Sequence, residues 1–139
     1  MTRILAVDLG EKRIGLAMSD PTGTLARPLL VIAHVQRRAD AAAVAGLARE
    51  HEAGLIVIGQ SFDLDGQPNF AGRQAARFAE ALRLQTDLPV VLWDEAFTTQ
   101  DARQARLTMG VPRKQRSGHL DDLAATLLLQ SYLEGQRKP

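Results

Sequence analysis

The amino-acid sequence predicts an α/β fold: a mixed five-stranded sheet, built from a three-strand meander and then alternating helices and strands, with helices on both faces. Two observations carry that expectation. Ile4–Val7, Leu55–Ile58 and Val90–Trp93 are short, continuous apolar runs rich in β-branched residues, the pattern of strands covered on both sides. The remaining apolar residues change from alternating spacing in the first third of the chain to helical spacing later.

Ile4–Val7 opens the meander. In the next strand Ile14, Leu16 and Met18 alternate with Gly15, Ala17 and Ser19, so that the larger residues share one face. Asp20-Pro21-Thr22-Gly23 supplies turn chemistry, and Leu29–Ala33 offers the third strand. Helical spacing then covers Arg38–Glu52, Ala71–Thr86, Thr98–Met109 and about His119–Leu133. Thr98 with Asp101 reads as a helix start, and Gly110-Val111-Pro112 as its stop. The predicted order is βββαβαβαα. With 139 residues, no internal repeat and no linker, the chain is expected to form one domain over 1–139, with a tail from about 135 free to fray.

Composition narrows the chemistry. Hydrophobic residues make up 45% and charged residues 24%, ordinary values for a globular protein. The absence of cysteine excludes disulfides, thiolate metal sites and thiol nucleophiles. No apolar run reaches membrane-spanning length, and the first residues read directly as a strand, so a cytoplasmic protein is expected. A net charge of +1 does not by itself announce a nucleic-acid partner. Its distribution is more telling, because Arg103, Arg106, Arg113, Lys114 and Arg116 fall in a stretch without an acid. Such a run suits either a solvated face or a phosphate contact.

Acids at the ends of buried strands raise a sharper question. Asp8 follows the first apolar run, Asp94 and Glu95 follow the last, and Asp121 and Asp122 open the final helix. In open α/β sheets, sites form where loops leave the carboxyl ends of strands. Singly, each acid has an ordinary use: Asp8 in the following turn, Glu95 in a surface pair, Asp121 at a helix N-terminus. Together, three carboxylates would repel one another unless a cation neutralised them, and oxygen-only ligands point to Mg2+ or Mn2+. Two such ions would suit in-line hydrolysis of a phosphodiester. Taking Leu120, Ala124, Leu127 and Leu128 as the packed face of the last helix puts Asp121 at its margin and Asp122 farther toward solvent.

At this point "AVDLGEKRIGLAMSD", "WDEAFTTQDA" and "LDDLAATLLLQSYL" carry a resemblance to the YqgF/RuvX family of RNase H-like nucleases, also called Holliday-junction resolvase-like proteins. "RPLLVI" and "IVIGQSFDLDG" extend it over essentially the whole chain. The resemblance implies an RNase H-like fold and places the catalytic, metal-binding acids on Asp8, Glu95 and Asp121. It implies a nuclease acting on the 5′ end of precursor 16S rRNA, with branched DNA as the alternative substrate. Arg13 is the stronger phosphate candidate in the first turn, beside Lys12, and Arg113, Lys114 and Arg116 are expected to hold nucleic acid. A four-way junction would favour a homodimer. The chain departs from the family pattern at Gln60-Ser61, where Leu-Pro is common, and at Ala96, where arginine is common.

Other readings lead elsewhere. A sugar-kinase or actin-like ATPase also begins with a strand and Asp-x-Gly, yet pairs two such domains, for which this chain is too short. A noncatalytic nucleic-acid-binding module would keep the basic residues without turnover. Trp93, ending an apolar strand, is expected in the core, His34 and His51 show no ligand pattern, and His119, near Asp121, is expected to be an ordinary helix-start histidine, with proton transfer or a phosphate contact as the alternative.

Overall fold

The structure, a computed structural model, describes residues 2–95 and 116–137, with side chains of the last helix described from 123 to 136. Strands β1 (Arg3–Leu9), β2 (Arg13–Ser19) and β3 (Ala26–Ala33) form the expected meander. They are followed by α1 (Arg37–Glu50), β4 (Ala53–Gln60), α2 (Phe70–Arg83), β5 (Val90–Asp94) and a long final helix, α3 (Arg116–Arg137). The helix expected over Thr98–Met109 lies outside the described residues.

The five strands form one mixed sheet in the order β3-β2-β1-β4-β5. β1 runs antiparallel to β2 and parallel to β4, which runs parallel to β5. Hydrophobic strands therefore occupy the centre, as parallel pairing covered on both faces requires. Alternation along each strand then sorts side chains into two cores. Leu5, Val7, Ile14, Leu16, Ile56 and Ile58 pack under α1 and α2, against Val44, Phe78 and Leu82. Ala6 and Ala17 pack under α3, against Ala125, Leu128, Leu129 and Leu133. Small strand residues on this second face let a single helix lie close to the sheet.

Element ends follow local chemistry. Helix α1 stops at Glu50 rather than Glu52, because the chain turns at Glu52 in the left-handed region (φ 59°) to enter β4. Asn69 caps α2, its side chain accepting a hydrogen bond from the Gly72 amide. β3 starts three residues before the predicted Leu29 and includes Pro28, which an edge strand tolerates. α3 continues to Arg137, through Gly135, where the composition of the tail suggests fraying. A Cβ on Gly135 would come within 2.8 Å of the Trp93 ring, so the missing side chain allows the indole to lie against the helix.

Candidate active site

The site grows from the alternation of β1. Ala6 lies on the α3 face, so Asp8, two residues on, shares that face at the carboxyl end of the strand. Across the antiparallel pair its partner is Gly15. On the other side, Val7 is level with Ile58, and one further step brings Asp8 level with Gly59. Asp8 thus stands level with a glycine on each neighbouring strand.

Glu95 comes to the same end of the sheet from β5. Its amide donates to the Gln60 carbonyl at 2.9 Å, extending the β4–β5 pairing by one step. A Cβ on Gly59 would lie 2.5 Å from Glu95 Oε1 and 3.1 Å from its carboxyl carbon. The carboxylate therefore occupies the space a side chain at 59 would fill, on the same face as Asp8. Trp93 fixes the strand that delivers it. Its indole donates to Ser131 Oγ at 3.1 Å and meets Tyr132 edge-on, with ring centroids 5.2 Å apart. The expectation that Trp93 is core holds, and its packing ties β5 to α3. Burial of Tyr132 raises its phenol pKa above the ordinary value.

Asp121 and Asp122 lie in the second turn of α3, and their side chains are outside the described residues. The helix carrying them packs on the face that holds Asp8 and Glu95. Its buried stripe runs through Ala125, Leu128, Leu129 and Leu133, rotated from the predicted Leu120, Ala124, Leu127 and Leu128, with Ala124 and Leu127 only half-buried. That rotation changes the comparison between the two acids. Asp121 is four residues before Ala125 and seven before Leu128, while Asp122 is three before Ala125 and seven before Leu129. Both positions border the packed stripe, so helical phase no longer separates them.

Among the described residues no group of three acids or histidines is close enough to hold a metal ion. The fit of Mg2+ or Mn2+ rests on the pair that is described. Two carboxylates share one face, and a glycine leaves room for the second; both supply hard oxygen ligands. A third acid from α3 would complete the set. Of the expected phosphate contacts, Arg13 is exposed at the start of β2, beside the turn that follows Asp8. Arg113 and Lys114 lie outside the described residues, and Arg116 begins α3 with its side chain undescribed.

The departures at Gln60 and Ser61 have a structural use that sequence reading missed. Gln60 Nε2 donates to the Gly72 carbonyl at 3.1 Å, and Ser61 Oγ to Asn69 Oδ1 at 2.7 Å. Together they pin the start of α2 beside the carboxyl end of β4. Gly15 and Gly59 were also missed as site residues; their signal was small residues on strands that adjoin an acid-ended strand.

A five-stranded mixed sheet in the order β3-β2-β1-β4-β5, with carboxylates at the ends of its first and last strands and a C-terminal helix on one face, is an RNase H-like fold. Solved structures share this fold: Thermus thermophilus RuvC in complex with a Holliday junction substrate (TM-score 0.59, 16% identity, 99% of this chain and 97% of that one) and the Fowlpox virus resolvase with junction DNA (TM-score 0.58, 14% identity, 98% and 99%). The chain belongs to the RuvX family, whose model, described as Holliday junction resolvase, matches residues 2–135. Relatives from Syntrophus aciditrophicus (41% identity, 95% of this chain, 88% of the relative) and Anaeromyxobacter sp. (40%, 96% and 98%) are named as candidate pre-16S rRNA nucleases.

Proposed function

We propose that this protein is a divalent-metal-dependent nuclease that hydrolyses phosphodiester bonds in processing the 5′ end of precursor 16S rRNA, with Asp8, Glu95 and Asp121 as its catalytic acids. The observation that carries the reading is the Glu95 carboxylate seated over Gly59 on the face and at the strand end where Asp8 stands. Family membership and the names of the relatives support the nuclease chemistry and the RNA substrate. No helix among the described residues is long and apolar enough to cross a membrane, which suits the proposed cytoplasmic location.

Asp8 and Glu95 would hold the ions from two strands that the sheet fixes relative to each other, and Asp121 would add a ligand from α3. When bound, the metal supplies charge neutralisation and lowers the pKa of water for attack on phosphorus. The carboxylates would hold that cation at the strand ends, and Arg13, Arg113, Lys114 and Arg116 would hold flanking phosphates.

Purified protein assayed with Mg2+ or Mn2+ on precursor 16S rRNA, single strands, duplexes and four-way DNA junctions tests both chemistry and substrate. Preferential cleavage of the RNA precursor is expected. The junction-bearing fold relatives favour branched DNA as a second reading, with a homodimer presenting two sites. Preferential cutting of junctions would establish it, and binding without cleavage would leave a noncatalytic module.

A further inference from the structure

On the opposite face of the sheet, at the same end, a cleft of about 700 Å³ opens between the β1–β2 turn and the starts of α1 and α2. Its volume falls within the range of small-ligand pockets, roughly 300 to 1,000 Å³. Leu9, Ile14 and Phe78 give it an apolar base. Val35 and Phe70, 72% and 67% exposed, stand at its edge, an unusual exposure for large apolar side chains.

The polar lining is ordered. Arg37 Nη2 donates to Gln74 Oε1 at 2.9 Å, bridging the two helices. Asp40, 3% exposed, lies 2.5 Å from His34 Nδ1 and accepts a hydrogen bond from the Val35 amide at 3.0 Å. That acid stabilises the turn into α1. The cleft therefore offers apolar side chains, hydrogen-bonding groups and a guanidinium, with the positive ends of two helices beside them.

Its position selects an occupant. Leu9 follows Asp8 directly, and alternation turns the two side chains to opposite faces of one strand end. A polynucleotide crossing that end with a phosphate at Asp8 would bring a neighbouring nucleotide over the rim into the cleft. A paired base could not enter, because its edge and both faces are already engaged.

Resting on the nuclease reading, we propose that this cleft receives one unpaired nucleotide of the substrate strand, its base against Phe70 and its phosphate toward Arg37, close in sequence to the bond that is cut. The substrate class is then a strand with a single-stranded segment flanking the scissile phosphate. Glu11, also at the rim, and Asp40 disfavour a free multiply charged anion, whereas one backbone phosphate beside Arg37 is tolerated.

The test uses the full chain without added divalent ion, so that binding is read apart from cleavage. RNA carrying 2-aminopurine at successive positions of an overhang beside a duplex is titrated with wild type, Phe70→Ala and Ala71→Trp. Both positions are exposed, and the second variant narrows the mouth of the cleft without removing a core side chain. The expected result is an emission change confined to one or two positions in wild type and lost in both variants, with affinity about ten-fold weaker, as for loss of one stacked base. Adenosine monophosphate should compete only weakly; full competition at micromolar concentration would replace the substrate strand by a free nucleotide and overturn the proposal. A uniform signal along the overhang, or wild-type affinity in both variants, would also overturn it. A position-specific signal in a protein that never cleaves would sustain the cleft and remove the nuclease reading instead.

Discussion

At the scale of single residues, the position of Glu95 depends on what is absent at 59. Gly59→Ala would place a Cβ where the Glu95 carboxylate lies, and the side chain must move to relieve it. Cleavage should fall roughly 100-fold, the expected effect of a displacement of about 1 Å at a reacting centre. Thermal unfolding should change far less than activity. By contrast, Asp8→Asn and Glu95→Gln keep side-chain size and remove one ligand charge each. Each should cost at least about 100-fold in metal-supported cleavage, since even loss of an outer partner of a metal ligand costs 10- to 100-fold. Full activity with an unchanged metal optimum would sink the assignment.

The acids of α3 need a separate comparison, because their phase on the observed stripe is equivalent. Family resemblance favours Asp121, so Asp121→Asn should lose metal binding and turnover while Asp122→Asn loses much less. Both remove one charge near the same helix start, so a dipole effect cannot produce a large difference. Cleavage rates over a metal titration, after circular dichroism shows both variants folded, decide between them. Equal losses would make the pair a shared site.

Asp20 illustrates an acid with a purely structural use. It accepts hydrogen bonds from the amides of Leu25 and Thr24 and from the Thr22 hydroxyl, closing the turn between β2 and β3. The Leu25 amide is the largest cause, followed by the Thr22 hydroxyl, and they lower its pKa from 3.8 to about 2. A depressed acid stabilises the fold above its unfolded pKa and loses that contribution as pH falls through the folded value. The stability difference between wild type and Asp20→Ala should therefore be constant above about pH 5. It should shrink as pH falls below 3.8 and go on shrinking through about pH 2, where the folded carboxyl is half protonated, as followed by chemical denaturation at each pH.

At the scale of elements, the meander, the central strands and the first two helices were legible because each has a local signature. Ile4–Val7 and Leu55–Ile58 could hardly be anything but buried strands. The site was legible only as separate acids. Nothing local joins Asp8 to Glu95; that they share one face and one end of the sheet depends on β4 lying between β1 and β5, a long-range pairing. The same limit explains the phase of α3. With Leu at 120, 123, 127, 128, 129 and 133, the helix is apolar on several sides, and the small residues of β1 and β2 choose which side packs. The basic residues preceding and opening α3 form a testable unit. Replacing Arg113, Lys114 and Arg116 with alanine should weaken RNA binding across sequences and reduce the salt slope by about 0.7 per lost contact. An unchanged slope would return them to a solvated role.

For the whole molecule, the order β3-β2-β1-β4-β5 places the earliest strand at the centre and closes the site with the latest elements. Asp8 precedes Glu95 along the chain, β4 pairs between the strands that carry them, and α3, later still in sequence, packs on Ala6, Ala17 and Trp93. A growing chain thus carries its first carboxylate long before it can use it. Until α3 is made, the face of the sheet that it covers is bare and Asp121, the proposed third acid, is missing with it. For a protein proposed to cut precursor rRNA, this is a delay built into manufacture: no fragment released early by stalled translation should cut, whatever metal is present. Hydrolytic capacity should therefore require α3 to have been made.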